Sequence, residues 1–228
     1  MERSHVAGWT SESPTPVQLK EFFAQIETGR ITKGGLQTFL RSEKKDISVL
    51  LADWQEFYHE LFGLEIDLSG LSVPGRKKGL DRLIDVSQGM IPQLLYDKCA
   101  ELFPCWEGTI EDLDKIVQSE RTAKDGPYAV WFQDTVEADE DLKNLSANEL
   151  ERRGIPGITF EERLLYELKY FKETGQHLDI KTATLCSGSR ADGHVPLVFW
   201  ERVDRRLRVS WCRPEDSRPS LRSRRAVS

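Results

Sequence analysis

The chain has 228 residues, 39% of them apolar and 31% charged, with a net charge of −6. That is enough to bury a full core and too apolar for a disordered chain. No apolar run is long enough to span a bilayer, and the acidic balance argues against broad nucleic-acid affinity.

The first 16 residues are polar, carry no apolar block of the signal-peptide kind and read as a flexible lead-in. A cytoplasmic protein follows from this, with Cys99, Cys105, Cys186 and Cys212 as reduced thiols rather than a disulfide framework. Residues 17–63 read as a helical region. Val17, Leu19, Phe22, Phe23 and Ile26 mark a first amphipathic helix ending at Gly29, and Thr32 caps a second carrying Leu36, Phe39 and Leu40. A third, from Ile47 to Leu61, sets Leu50, Leu51, Trp54, Phe57 and Tyr58 along one side and is closed by Gly63.

Residues 64–212 read as an α+β domain. Asp67, Gly70, Pro74 and Gly75 break every periodicity ahead of residues 80–86, which are too short to distinguish strand from helix by pattern. Pro92 opens a helix running to Leu102, and Thr109 with Asp112 caps another to about Val117. Tyr128 to Gln133 is rich enough in Tyr, Val, Trp and Phe to be a strand. Asp139, Glu140 and Asp141 suit a helix first turn, and Ser146 with Glu149 forms a capping box.

The strongest signal lies beyond Ile158. Thr159 and Glu162 make a Thr-x-x-Glu capping box, Gly175 ends the helix, and Phe160, Leu164, Leu168 and Phe171 form a stripe beside Leu165. Residues 182–187, 195–201 and 206–212 supply a three-stranded antiparallel meander to cover that stripe. Folding about Val203 and Asp204 sets Trp200 opposite Leu207 and Val198 opposite Val209. It also pairs Glu201 with Arg206, and Phe199 with Arg208 as a cation–π contact. The fold class is α+β: an N-terminal helical region, then a mixed domain whose meander packs on a helix.

From Arg202 onward nine arginines face three acids, a net of +6 that leaves −12 for the rest of the chain. Residues 213–228 read as a flexible Arg-rich tail. Arg213, Arg218, Arg222, Arg224 and Arg225 would grip an anionic partner, nucleic acid or an acidic protein surface, or else the chain's own acidic residues 134–141. A binding or interaction protein is the function this favours.

The rival is a hydrolase or transferase built on Cys186, Arg190 and His194, where a thiol, small residues and a cation end a strand. Cysteine is also a common buried strand residue, and the spacing is not that of a phosphatase loop. Walker and dinucleotide loops are absent, and the dispersed His and Cys residues assign no metal or cofactor. The carboxylates at 134–141 diverge along a chain rather than converge on a cation.

FPCW at Phe103 to Trp106, YAVWF at Tyr128 to Phe132, VEADE at Val136 to Glu140, LKYFKETG at Leu168 to Gly175 and the closing LRSRRAVS resemble a family of uncharacterised bacterial proteins. The resemblance covers most of the chain from about Leu51. It implies a bacterial, cytosolic protein and carries no activity, cofactor or site.

Overall fold

The computed structural model describes residues 15–32, 34, 46–106 and 112–228. The chain divides into two units, residues 1–45 and 46–228. In the first, α1 (Pro16–Glu27) has proline in its first turn, and Thr15 and Gln18 cap each other reciprocally. The helix predicted after Thr32 lies outside the described residues. The boundary predicted at residue 63 moves back to 45, because α2 (Ile47–Phe62) buries Trp54, Phe57 and Tyr58 in the core of the second unit.

That unit is α+β. After α2, which Asp46 caps and Gly63 ends in the left-handed region, come β1 (Arg82–Val86), α3 (Pro92–Leu102), α4 (Leu113–Ile116), β2 (Val117–Ser119) and β3 (Tyr128–Phe132). Then follow α5 (Ala147–Arg152), α6 (Phe160–Thr174), β4 (Ala183–Leu185), β5 (Ser189–Ala191), β6 (Val195–Glu201), β7 (Arg206–Cys212) and β8 (Leu221–Arg222). The strands form three sheets: β1–β3, β2–β5, and β7-β6-β4-β8.

β1 settles the ambiguity at residues 80–86. Its five residues are all buried, so no polar face marks a period, and antiparallel pairing runs from Arg82↔Phe132 to Val86↔Tyr128. Asp139 to Asp141 do not start an α-helix. They enter a single 3₁₀ turn, Glu140–Leu142, with Asp139 buried and accepting the Arg225 N–H. Ser146 does cap α5, but Glu149 turns to Arg152 and Arg153 instead of closing the box.

α6 is the centre of the unit. Its capping box and Gly175 stop are as predicted. The amphipathic reading was too modest, however, since every residue from Phe160 to Tyr170 is buried, charged ones included. The cover comes from α3 and β1 as well as from the meander. Leu168, fully buried, should lose about 2–5 kcal/mol on truncation to alanine, the usual sum of transfer and cavity terms. Reversible urea unfolding measures this, and a loss of roughly 0.5 kcal/mol or less, typical of surface sites, would mean the face is misassigned.

The meander has the predicted register throughout: Trp200↔Leu207, Val198↔Val209, Glu201↔Arg206 and Phe199↔Arg208. One contact differs. Arg208 sets its guanidinium over Trp106, 4.4 Å from the ring centre, and Arg206 lies 4.5 Å from the same ring, so Phe199 is not its cation–π partner.

The tail is not a flexible arm. β8 runs parallel to β4, and the segment after it is stitched into the body by Ile158 N–H to Arg224 O, Ala226 N–H to Pro156 O and a reciprocal pair between Val227 and Trp131. Arg222 pairs with Glu140 and Arg225 with Asp141, at 2.9 Å for the latter. Arg224 is fully buried. A proline- and serine-rich stretch forms little regular structure by itself, but carboxylates and carbonyls on the body supply the partners that order it.

Candidate functional site

The site predicted at Cys186 does not assemble. Cys186 is fully buried, its N–H donates to Pro196 O, and burial pushes the thiol well above its ordinary range despite the opposing pull of Arg163. Arg190 donates to Ser187 O and Ser189 O and reaches Glu151 at 3.3 Å. His194 is exposed, its Nδ1 3.1 Å from Asp192 O. Among the described residues no hydrogen bond or ion pair joins these three side chains. The predicted arginines likewise share no single surface: Arg213 pairs with Asp216 and Glu215, Arg218 lies in the exposed turn before β8, and the other three point to different carboxylates.

The buried ionic cluster on α6 is structural. Arg163 bonds Glu167 at 2.8 Å and Asp179 at 2.9 Å through Nε. Asp179 also meets Arg224 at 2.8 Å and accepts from Ala138 N–H and Thr184 Oγ1. Glu167 Oε1 accepts from His177 Nδ1 at 2.8 Å. All of Arg163, Glu167, Asp179 and Arg224 are sealed from solvent, which leaves no approach for a substrate.

A cleft forms instead at the N-terminus of α6. The loop around Cys186 stands behind it: Ser189 is not part of the wall but hydrogen-bonds Ser119, which is. Gly188 lets the chain pass so close that a Cβ there would stand 2.7 Å from Gly157 O, and its N–H bonds Ile158 O. This seats Ser189 at the helix start, where its Oγ accepts the Phe160 N–H at 2.8 Å. β5 pairs antiparallel with β2 so that Ser119 faces Ser189, their hydroxyl oxygens 2.7 Å apart. Ser119 Oγ in turn donates to Glu161 Oε2 at 2.6 Å.

These bonds have one consistent direction. Ser189 accepts from a backbone N–H that has no other helical partner, so its own hydrogen is free for Ser119, and the Ser119 hydrogen goes to Glu161. Glu161 is 5% exposed, and burial raises its pKa to about 7, with the neighbouring Glu162 adding to the rise and Ser119 and Lys124 opposing it. It therefore exchanges a proton at neutral pH. Glu162 beside it has a different task. It closes the cap and holds Arg121 through two bonds of 2.7 and 2.8 Å, with Tyr128 donating to it at 3.1 Å.

The cleft has a volume of about 340 Å³. Its walls include the apolar Ile91, Pro92 and Val117 and the polar Asp114, Ser119, Lys124 and Glu161. Asp114 is fixed by the Gln93 N–H at 2.9 Å, which ties the first turn of α3 to α4. Sequence reasoning assigned only Glu162, as a cap, and missed Glu161 and Ser119. A second carboxylate beside the capping Glu162 in the first turn of this helix was the available signal; nothing in the sequence marked Ser119.

Among the described residues no group of three or more His, Cys, Asp or Glu side chains could hold a metal ion, and no helix is long and apolar enough to cross a membrane. No family model, curated protein or solved structure matches the chain.

Proposed function

We propose that this chain is a binding protein for a small polar ligand, taken up in the cleft beside the α6 N-terminus and held through Glu161. The observation that carries this reading is a carboxyl group almost wholly buried, oriented by a directed chain of hydroxyls, and yet part of the wall of an open cleft. An anionic partner gripped by the tail has less support. It would have to use Arg213 and Arg218, since Arg222, Arg224 and Arg225 face Glu140, Asp179 and Asp141.

The test compares wild type with Glu161→Gln, which keeps an acceptor for Ser119. A library of small polar metabolites is screened by ligand-observed NMR at pH 8. Ligands of the wild-type cleft should bind the variant at least about tenfold more weakly, the loss expected for one charged hydrogen bond. Equal binding to both proteins would overturn the reading. Folding stability provides a control on the same variant. The folded carboxyl keeps its proton up to about pH 7, whereas an unfolded glutamate releases it near 4.5. The stability tied to this group is therefore complete below pH 4.5 and lost as pH rises through 7. Glu161→Gln should accordingly be the more stable protein at pH 8, by on the order of 3 kcal/mol, with the advantage shrinking toward pH 5.

A further inference from the structure

We infer that the ligand of this cleft is an α-amino acid with an aliphatic side chain, its ammonium on Glu161 and its carboxylate on Lys124. The inference rests on the reading of the cleft as a ligand site and adds the ligand's chemistry.

Lys124 and Glu161 both belong to the cleft wall, and the lysine's charge is felt at the carboxyl. Even so, the two form no ion pair, and among the described residues Lys124 pairs with no other carboxylate. Two opposite charges that share a cleft without touching leave room between them for a group carrying both signs. Ser119 is the one side chain among the described residues that hydrogen-bonds Glu161, so the carboxyl retains accepting capacity for an ammonium, which brings three donors. Asp114 adds a second negative charge to the wall, which favours a ligand amine over a second ligand carboxylate. Ile91, Pro92 and Val117 offer an apolar surface to an aliphatic side chain. A volume of about 340 Å³ lies at the small end of the range for ligand pockets and suits a molecule of amino-acid size.

The experiment is isothermal titration calorimetry at pH 8, where Glu161 is mainly ionised, with leucine, isopentylamine and isocaproate as probes, alongside a panel of the other standard amino acids. Leucine or another aliphatic member of the panel should bind. The amine and the acid, each lacking one charge, should bind at least about tenfold more weakly, one charged contact being lost in each case. Lys124→Met, at an exposed position, should remove the preference for leucine over isopentylamine, the two probes binding this variant with equal affinity. Glu161→Gln should lower leucine affinity to that of isocaproate. Binding of either fragment as tightly as leucine overturns the inference. So does a cleft that accepts members of the metabolite library but no amino acid, and in that case the binding function stands. If neither library nor amino acids bind, both readings fail.

Discussion

Replacing Asp179 by alanine should cost about 3–5 kcal/mol, the range for breaking a buried ion pair from one side. Asp179 is fully buried between Arg163 and Arg224, whose side chains are equally sealed, so its removal leaves Arg224 without a carboxylate partner and Arg163 with Glu167 alone. The same change deprives Ala138 N–H and Thr184 Oγ1 of their acceptor and leaves the left-handed backbone at residue 179, φ +53°, without a residue that tolerates it. Asp179→Asn separates these effects: it retains an acceptor and suits the backbone, so whatever loss persists belongs to the charge. Against a typical total of about 5–15 kcal/mol, the alanine variant should show a large drop in urea midpoint. A loss under about 1 kcal/mol would show that water reaches the cluster, contrary to its closure.

A chain ending at Cys212 should fail to fold cooperatively. It loses β8, the only parallel strand in the sheet, and the buried Leu221 and Ala226. It also loses Arg224, which bonds Asp179 and the carbonyls of Thr135 and Val136. The backbone pairs that hold Trp131 and Ile158 go with it. With net contributions near 1 kcal/mol for each hydrogen bond and the loss of one of the two arginines that neutralise Asp179 besides, the sum approaches the whole stability of an ordinary domain. Circular dichroism on heating should show a broad transition or none. A sharp transition within a few degrees of the full chain would mean that the tail is dispensable. Arg224→Met, which keeps the length of the chain and most of its volume, then tells loss of charge from loss of the strand.

Features whose cause is local were legible beforehand. The register of β6 and β7 was fixed by Glu201 facing Arg206 and by alternating apolar residues a few positions apart, and the caps at Thr159 and Gly175 act within one helical turn. What the pattern could not show was the burial of Arg163 and Glu167. Charged residues opposite an apolar stripe normally face water, and here they do not because Asp179 and Arg224 arrive from 16 and 61 positions along the chain. The order of the tail escaped the sequence for the same reason, although Arg222 and Arg225 do meet the acidic residues 134–141 that the sequence offered as their partners. Ser119 became a site residue only because β2 pairs with β5, a contact across 70 positions. Cys186 is the buried, inert thiol that its place at an apolar strand end favours: a thiol near an arginine is reactive only when water can reach it, and the core around it removes that condition.

The ordered tail also determines how the molecule appears to others in solution. Along the sequence the chain is a strong dipole, +6 from residue 202 onward and −12 before it. In space the two ends interleave at Glu140, Asp141 and Asp179, and the asymmetry largely cancels at close range. At low ionic strength, where screening reaches beyond about 10 Å, an approaching molecule meets mainly the residual potential of a net charge of −6. Polyanions are held off at low ionic strength and cations are drawn in, while Arg222, Arg224 and Arg225 are already engaged within the molecule.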